Sequence, residues 1–317
     1  MAAFTISPLL INVLRCPIHP SAGKLQVVSG DGSPGGSGIS AISLVCPSCR
    51  REYPIHDGIP DMLVSDPETH SFREEEMAQW DGQASAYEQE RVKDQVYMAG
   101  IEGAAAALAP QDHDVVLDAG CGTGLTIKQY IRPSIQVVAF DLSMNSLRCL
   151  RRSVNSPSLL FVKGDVTALP FASAAFDKVL CANTINQLPQ AHLRTRCLRE
   201  LSRVSRLGGR VVISAQNFSI PKKRAGWRKQ GTAKASSGPV QYIYRFDPAE
   251  FQDLLRSTMQ VDSLFGAGLP LPYRFKLSRL SRLAEKALRR FRLSSYWGNM
   301  IVGACRKGEN LLVTQDD

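Results

Sequence analysis

The run Val115-Val116-Leu117-Asp118-Ala119-Gly120-Cys121-Gly122-Thr123-Gly124 places an acid and three alternate glycines at the end of an apolar stretch. Glycines so spaced let backbone N–H groups and the first turn of the next helix come close to a ligand. A dinucleotide fingerprint, G-x-G-x-x-G/A, needs a small residue at position 125, and Leu125 stands there instead. That departure argues against a nicotinamide or flavin cofactor. Asp141 closes the β-branched run Ile135 to Phe140, and Asp165 follows Leu159 to Lys163 and Gly164. A carboxylate at the end of a second strand can accept hydrogen bonds from both ribose hydroxyls of a nucleoside. It can equally cap the helix that starts at Ser143.

A second constellation lies near the N-terminus. Cys16-Pro17-Ile18-His19 and Cys46-Pro47-Ser48-Cys49 flank a Gly/Ser-rich stretch from Ser29 to Ser40. Two such pairs on the arms of a hairpin bring four soft or borderline ligands into a tetrahedron, as structural zinc requires. With Cys16, His19, Cys46 and Cys49 filling every position, the Zn2+ would be structural rather than catalytic. His56, seven residues after Cys49, is the competing fourth ligand. The remaining cysteines read as thiols: Cys121 sits where a small side chain is needed, with no general base beside it, and Cys149, Cys181, Cys197 and Cys305 fall within elements.

The elements that must position these groups follow from the pattern. At 317 residues and 44% hydrophobic content, the chain can form one large domain plus an appendage. Residues 1–64 read as a small β domain, the polar stretch 65–83 as a linker, and 84–317 as the main domain with an insertion at 216–246. Helices are expected over Ala84 to Leu108, Thr126 to Arg132 and Leu193 to Ser205. Strands are expected at Leu159 to Lys163, Phe176 to Cys181 and Val211 to Ala215. Phe4 to Leu14 is too short to span a membrane, is broken by Pro8 and has no basic flank, so the expected compartment is the cytoplasm.

The spacing Asp-x-Gly-x-Gly-x-Gly, the acids Asp141 and Asp165, the run Leu169-Pro170-Phe171 before Phe176-Asp177, and the Leu207-Gly208-Gly209 turn resemble class I S-adenosylmethionine (SAM)-dependent methyltransferases. In that turn Leu207 replaces the family's proline. The resemblance spans about Ala84 to Arg306 and implies an α/β fold: a doubly wound, mostly parallel, seven-stranded Rossmann-like sheet. It implies that Asp118 orders the loop near the methionine amino group, that Asp141 with Leu142 takes the ribose, and that Asp165 and the Val166 N–H meet adenine. Gly120, Cys121, Gly122 and Gly124 would form the cofactor loop, Asn183 would open the fourth strand's end, and Tyr87 would touch the cofactor from an overlying helix. The N-terminal pattern, continuing through Tyr53-Pro54-Ile55-His56-Asp57-Gly58-Ile59-Pro60, looks like the zinc-ribbon domain fused to, or partnering, several methyltransferases.

The net charge of +9 is local. Residues 222–234 carry six positive charges and no acid, and 274–292 carry a net +7. In the first segment Lys222, Lys223 and Arg224 stand near Trp227, Tyr242 and Tyr244, which can grip phosphates and stack on bases or line a small-molecule pocket with a lid. In the second, Leu277, Leu280, Ala284, Leu288 and Phe291 recur at helical spacing, fitting an anionic membrane surface or ordinary packing on the sheet. Three functions follow: methylation of a small-molecule or lipid-like substrate, which is favoured; methylation of guanine in ribosomal RNA; or an inactive module that binds nucleic acid. The intact acids and glycines oppose the last. The run Ala182-Asn183-Thr184-Ile185 lacks the Asn-Pro-Pro-Tyr of many amino-nucleobase methyltransferases. His192 and Gln187, after the fourth strand, are candidates to meet the substrate, whereas no catalytic pair is evident.

Overall fold

A computed structural model describes residues 6–29, 41–64, 70–234, 240–269 and 293–308. Helix α1 (Pro8–Val13) leads into an antiparallel four-stranded sheet of β1 (Gln26–Ser29), β2 (Ala41–Val45), β3 (Glu52–His56) and β4 (Ile59–Pro60). The hairpin tip expected over Ser29 to Ser40 lies, from residue 30, outside the described residues. Helices α2 (His70–Arg91) and α3 (Gln95–Leu108) follow. Then β5 (Val115–Ala119), α4 (Ile127–Tyr130), β6 (Gln136–Asp141), α5 (Met144–Ser153) and β7 (Leu159–Lys163) make one half of the main sheet. The other half comprises β8 (Phe176–Ala182), α6 (Ala191–Val204) and β9 (Ser205–Gln216), then an inserted helix α7 (Ile220–Arg224) with the hairpin β10 (Gln230–Lys234) and β11 (Val240–Tyr244). Helix α8 (Pro248–Arg256), β12 (Gln260–Ala267) and β13 (Met300–Arg306) complete it.

The main sheet has seven strands in the order β12-β13-β9-β8-β5-β6-β7. The five strands from β9 to the β7 edge pair in parallel, and β13 runs antiparallel to both neighbours. This is the mostly parallel Rossmann-like arrangement expected. Val116, Leu117, Val137, Val138, Leu180 and Val212 are wholly buried, as strands covered on both faces must be. The chain order reverses at β5, so β6 and β7 lie on one side of it and β8 and β9 on the other. The carboxyl ends of β5, β6 and β8 therefore meet in a crevice at the switch point.

The expected linker over 65–83 is corrected by the structure. Residues 65–69 lie outside the described residues, and from His70 the chain is helix α2. Its Glu, Gln, Ala, Met and Arg residues are strong helix formers, but they carry no apolar stripe. The reason is that α2 packs on polar groups: the Asp81 carboxylate accepts from Ser143 Oγ at 2.5 Å and Asn145 N at 3.0 Å, at the start of α5. The single helix expected over Ala84 to Leu108 is divided, because Asp94 caps α3 by accepting from Tyr97 N.

The N-terminal module is joined to the main sheet by a common core. Leu14, Leu44, Tyr53 and Met62 pack in one cluster with Phe140, Phe171 and Phe176. Backbone hydrogen bonds from Arg15 N to Pro170 O (2.8 Å), Ala172 N to Val13 O (2.8 Å) and Met62 N to Lys163 O (2.8 Å) stitch the seam. Lys163 Nζ lies 2.8 Å from the Asp61 carboxylate there. The insertion expected at 216–246 closes on itself, since Phe246 N donates to Gln216 O at 2.9 Å. The basic segment 274–292 lies outside the described residues. No helix among the described residues is long and apolar enough to cross a membrane.

Candidate active site

Between β5 and α4 the chain makes a glycine bend with left-handed backbone at Gly120 (φ 78°), Gly122 (φ 53°) and Gly124 (φ 82°). The three glycines answer to different neighbours. A Cβ at Gly120 would strike Thr184, and one at Gly124 would strike Leu150. At Gly122 nothing lies within 4 Å, so this residue faces open space, where a ligand can approach the backbone. The bend is pinned to β6 by Gly120 N and Cys121 N, which both donate to Phe140 O, at 2.7 and 3.1 Å.

Asp141 completes the pinning. One carboxylate oxygen accepts from Gly122 N at 2.7 Å and the other from Ser143 N at 2.9 Å. Asp141 also lines the cavity that lies over the bend. Ser143 itself caps α5, accepting from Ser146 N at 3.0 Å. Asp165 accepts from Thr167 N and Oγ1 at 2.7 and 2.8 Å and pairs with Arg73 of α2 at 3.2 Å. Burial pushes the Asp141 carboxyl up to about 6 against the pull of the Ser143 and Gly122 N–H groups. Burial and the negative charges of Asp165 and Asp141 push Glu76, on α2, up to about 8.

A cavity of about 950 Å3, including its open mouth, lies over the bend. Gly120, Cys121, Gly122, Asp141, Leu142, Asp165, Val166, Asn183 and Tyr87 all line it, so most of the residues singled out in the sequence converge here. Asp118 and Gly124 do not. Asp118 is fully buried beneath the wall, where its Oδ2 accepts from Thr126 Oγ1 at 2.7 Å and Tyr130 OH at 3.0 Å. It orders the loop from below, and burial raises its carboxyl to about 7. Gly124 serves packing under Leu150. Burial also holds the Cys121 thiol well above its ordinary value, which leaves it protonated and a poor nucleophile. Gln187 is on the cavity wall, whereas His192 is exposed on α6 and absent from it.

Sequence reasoning missed Arg73, Glu76, Trp80 and Tyr97, which line the same cavity. The first three belong to α2, and its run of helix formers was the available signal. Asn183 sits at φ 58° at the end of β8, a left-handed conformation that asparagine tolerates better than most residues. Its side chain is held by Gln216 Nε2, which donates to its Oδ1 at 3.3 Å, and it donates to Tyr97 OH at 3.4 Å.

In the N-terminal module, Cys16, His19, Cys46 and Cys49 present ligand atoms that all lie within 4.8 Å of one another. His56 is exposed on β3 and outside this group. Cys16 Sγ lies 3.1 Å from Tyr53 OH, which supports the sulfur from behind. The four donors can hold a metal ion.

The basic run 222–234 is partly engaged within the chain. Lys222 is buried, and burial with the nearby Arg245 charge pushes it down to about 7. Lys223 pairs with Asp247, and Lys229 lies 3.2 Å from Asp247 and 2.8 Å from Glu250. Arg224 and Arg228 remain exposed.

The sheet order and its flanking helices match the Rossmann-like methyltransferase fold. Residues 117–213 match the family model described as a methyltransferase domain. The malonyl-[acyl-carrier protein] O-methyltransferase of Erwinia pyrifoliae is 38% identical over 120 residues, covering 37% of this chain and 43% of that protein. The demethylmenaquinone methyltransferase of Paenarthrobacter aurescens is 33% identical over 140 residues, covering 41% and 52%. The chain thus spans about half the length of the curated relatives it matches. Among solved structures, a chain from the complex of the Haloferax volcanii Trm112 methyltransferase activator with a methyltransferase has a TM-score of 0.53 at 16% identity, covering 73% of this chain and 98% of that one. A SAM-dependent methyltransferase from Listeria monocytogenes has a TM-score of 0.50 at 15% identity, covering 68% and 99%. At these identities the structural likeness is one of fold.

The raised carboxyl groups make a pH prediction. Unfolded aspartates titrate near pH 4, whereas Asp141 and Asp118 titrate at about 6 and about 7 in the fold. Between those values the folded chain binds more protons than the unfolded one, so stability falls as pH rises through them. The melting temperature of ligand-free protein should fall between pH 5 and 8, and Asp118→Asn should flatten that fall. A curve that rises over this range, or that ignores the substitution, contradicts the assignment.

Proposed function

We propose that this chain transfers a methyl group from SAM to a small-molecule or lipid-like acceptor. The observation that carries the reading is the open face of Gly122 beside Asp141, in a cavity whose other acids are Asp165 and Glu76. A site with three carboxyl groups and an exposed glycine backbone suits a cationic nucleoside bearing hydroxyl and amine donors. Asp141 would hold the ribose, Asp165 the adenine amine and the Val166 N–H a ring nitrogen, while Tyr87 and Asn183 would face the amino-acid end. When bound, the cofactor supplies a methyl group activated on a sulfonium. The protein's part is to hold donor and acceptor at attack distance and to exclude water, which needs no dedicated acid–base pair.

The acceptor class rests on the cavity's apolar side, where Ile101, Leu125, Leu188 and Leu193 stand, and on relatives named for acyl-carrier and menaquinone substrates. Lys223 and Lys229 pair with acids and Lys222 is buried, so half of the six positive charges at 222–234 are engaged within the chain, which weakens the RNA reading. We assign the N-terminal module, residues 1–64, as a zinc-ribbon-like unit with Zn2+ held by Cys16, His19, Cys46 and Cys49. With α2 covering the cavity, the main domain begins near residue 70 rather than 84.

Titration calorimetry should show SAM binding to the intact chain, and Asp141→Ala should weaken it by about tenfold or more, the loss of a charged hydrogen-bond acceptor. Equal affinity in the two proteins contradicts the ribose assignment. Elemental analysis of protein purified without added metal should give one zinc per chain, and Cys46→Ser should lose it. Metal-free intact protein contradicts the zinc site.

A further inference from the structure

A line of side chains connects the buried insertion lysine to the cavity. Lys222 Nζ donates to Gln216 Oε1 at 3.2 Å, Asn217 O at 3.0 Å and Asn299 O at 2.9 Å, so three acceptors surround a group with three protons. Gln216 Nε2 then donates to Asn183 Oδ1, Asn183 Nδ2 donates to Tyr97 OH, and Tyr97 OH lies 2.8 Å from Tyr87 OH. Lys222 Nζ donates to Gln216 Oε1, so Gln216 turns its carbonyl towards the lysine and its amide nitrogen away. That choice passes down the line. Asn183 must accept from Gln216 and donate to Tyr97. Tyr97 OH, accepting from Asn183, also shares a hydrogen bond with Tyr87 OH. The Arg91 guanidinium lies 5.2 Å from the Tyr87 ring centroid and 4.8 Å from that of Tyr97, so this wall also carries a positive charge.

We infer that Lys222 is a positioning residue: through Gln216 it fixes the Asn183 amide so that its nitrogen faces the Tyr97 and Tyr87 wall of the cavity and offers a donor to a carboxylate. The strand order supplies the complement. Asn183, at the end of β8, lies on one side of the glycine bend, and Asp141 and Asp165, after β6 and β7, lie on the other. A ligand with one carboxylate is repelled from the acids and received at the Tyr87, Tyr97 and Asn183 wall. In the reading proposed above, on which this inference rests, that group is the amino-acid carboxylate of SAM.

The test compares SAM with 5′-methylthioadenosine, which keeps the adenosine and lacks the amino-acid end. In calorimetry on the full chain, Lys222→Met and Gln216→Leu should each weaken SAM by about tenfold while leaving 5′-methylthioadenosine within about twofold. Lys222→Arg, which also only donates, should restore SAM binding to within about threefold of the native chain. Native SAM affinity in both broken variants overturns the inference, and so does an equal loss of both compounds. A native chain that binds neither compound overturns the cofactor reading itself.

Discussion

One carboxylate ties the two sides of the crevice together. By accepting from Gly122 N with one oxygen and Ser143 N with the other, Asp141 joins the glycine bend after β5 to the first turn of α5 after β6. Two strand ends that would otherwise move separately become one wall. The arrangement has a cost, because a nearly buried carboxyl held between N–H groups still prefers its neutral form more than an exposed one does. Donors from a bound nucleoside would relieve it. Glu76 in the same crevice is raised chiefly by burial too, and so is Asp118 beneath its wall.

The wall opposite the acids is built differently. It draws on three distant parts of the chain: Tyr87 and Tyr97 from the N-terminal helices, Asn183 from β8, and Gln216 with Lys222 from the base of the insertion. The insertion is therefore coupled to the cavity through its root and not only through any substrate that it covers. Asn217, which spans Ser295 O and Gly298 O through its amide, anchors that root to the segment before β13. Polar groups so deep must be matched in number and direction, and this requirement fixes where α7 can sit.

Much of this was legible in the sequence, for reasons that differ by element. The glycine bend and the strands around it are local codes: alternate glycines, β-branched runs and an acid at the end. The paired Cys-x-x-Cys/His pattern is also local, since ligand spacing is set by hairpin geometry. Helix α2 was hidden because its burial is polar, so the usual apolar stripe was missing, although Arg73, Glu76 and Trp80 all face the cavity. Lys222 was hidden in a basic run that resembles a solvated surface; its burial depends on carbonyls at Asn217 and Asn299, the second far off in the chain. Tyr53 and Met62 share a core with Phe140 and Phe171, and no local pattern announces such a seam.

The most direct measurement is a crystal structure of the full chain with S-adenosylhomocysteine. Both ribose hydroxyls should lie within hydrogen-bond distance of the Asp141 carboxylate, with the adenine beside Asp165 and the amino-acid end beside Asn183 and Tyr87. A ligand seated away from the Gly122 bend, or reversed so that its carboxylate lies among Glu76, Asp141 and Asp165, would contradict the account.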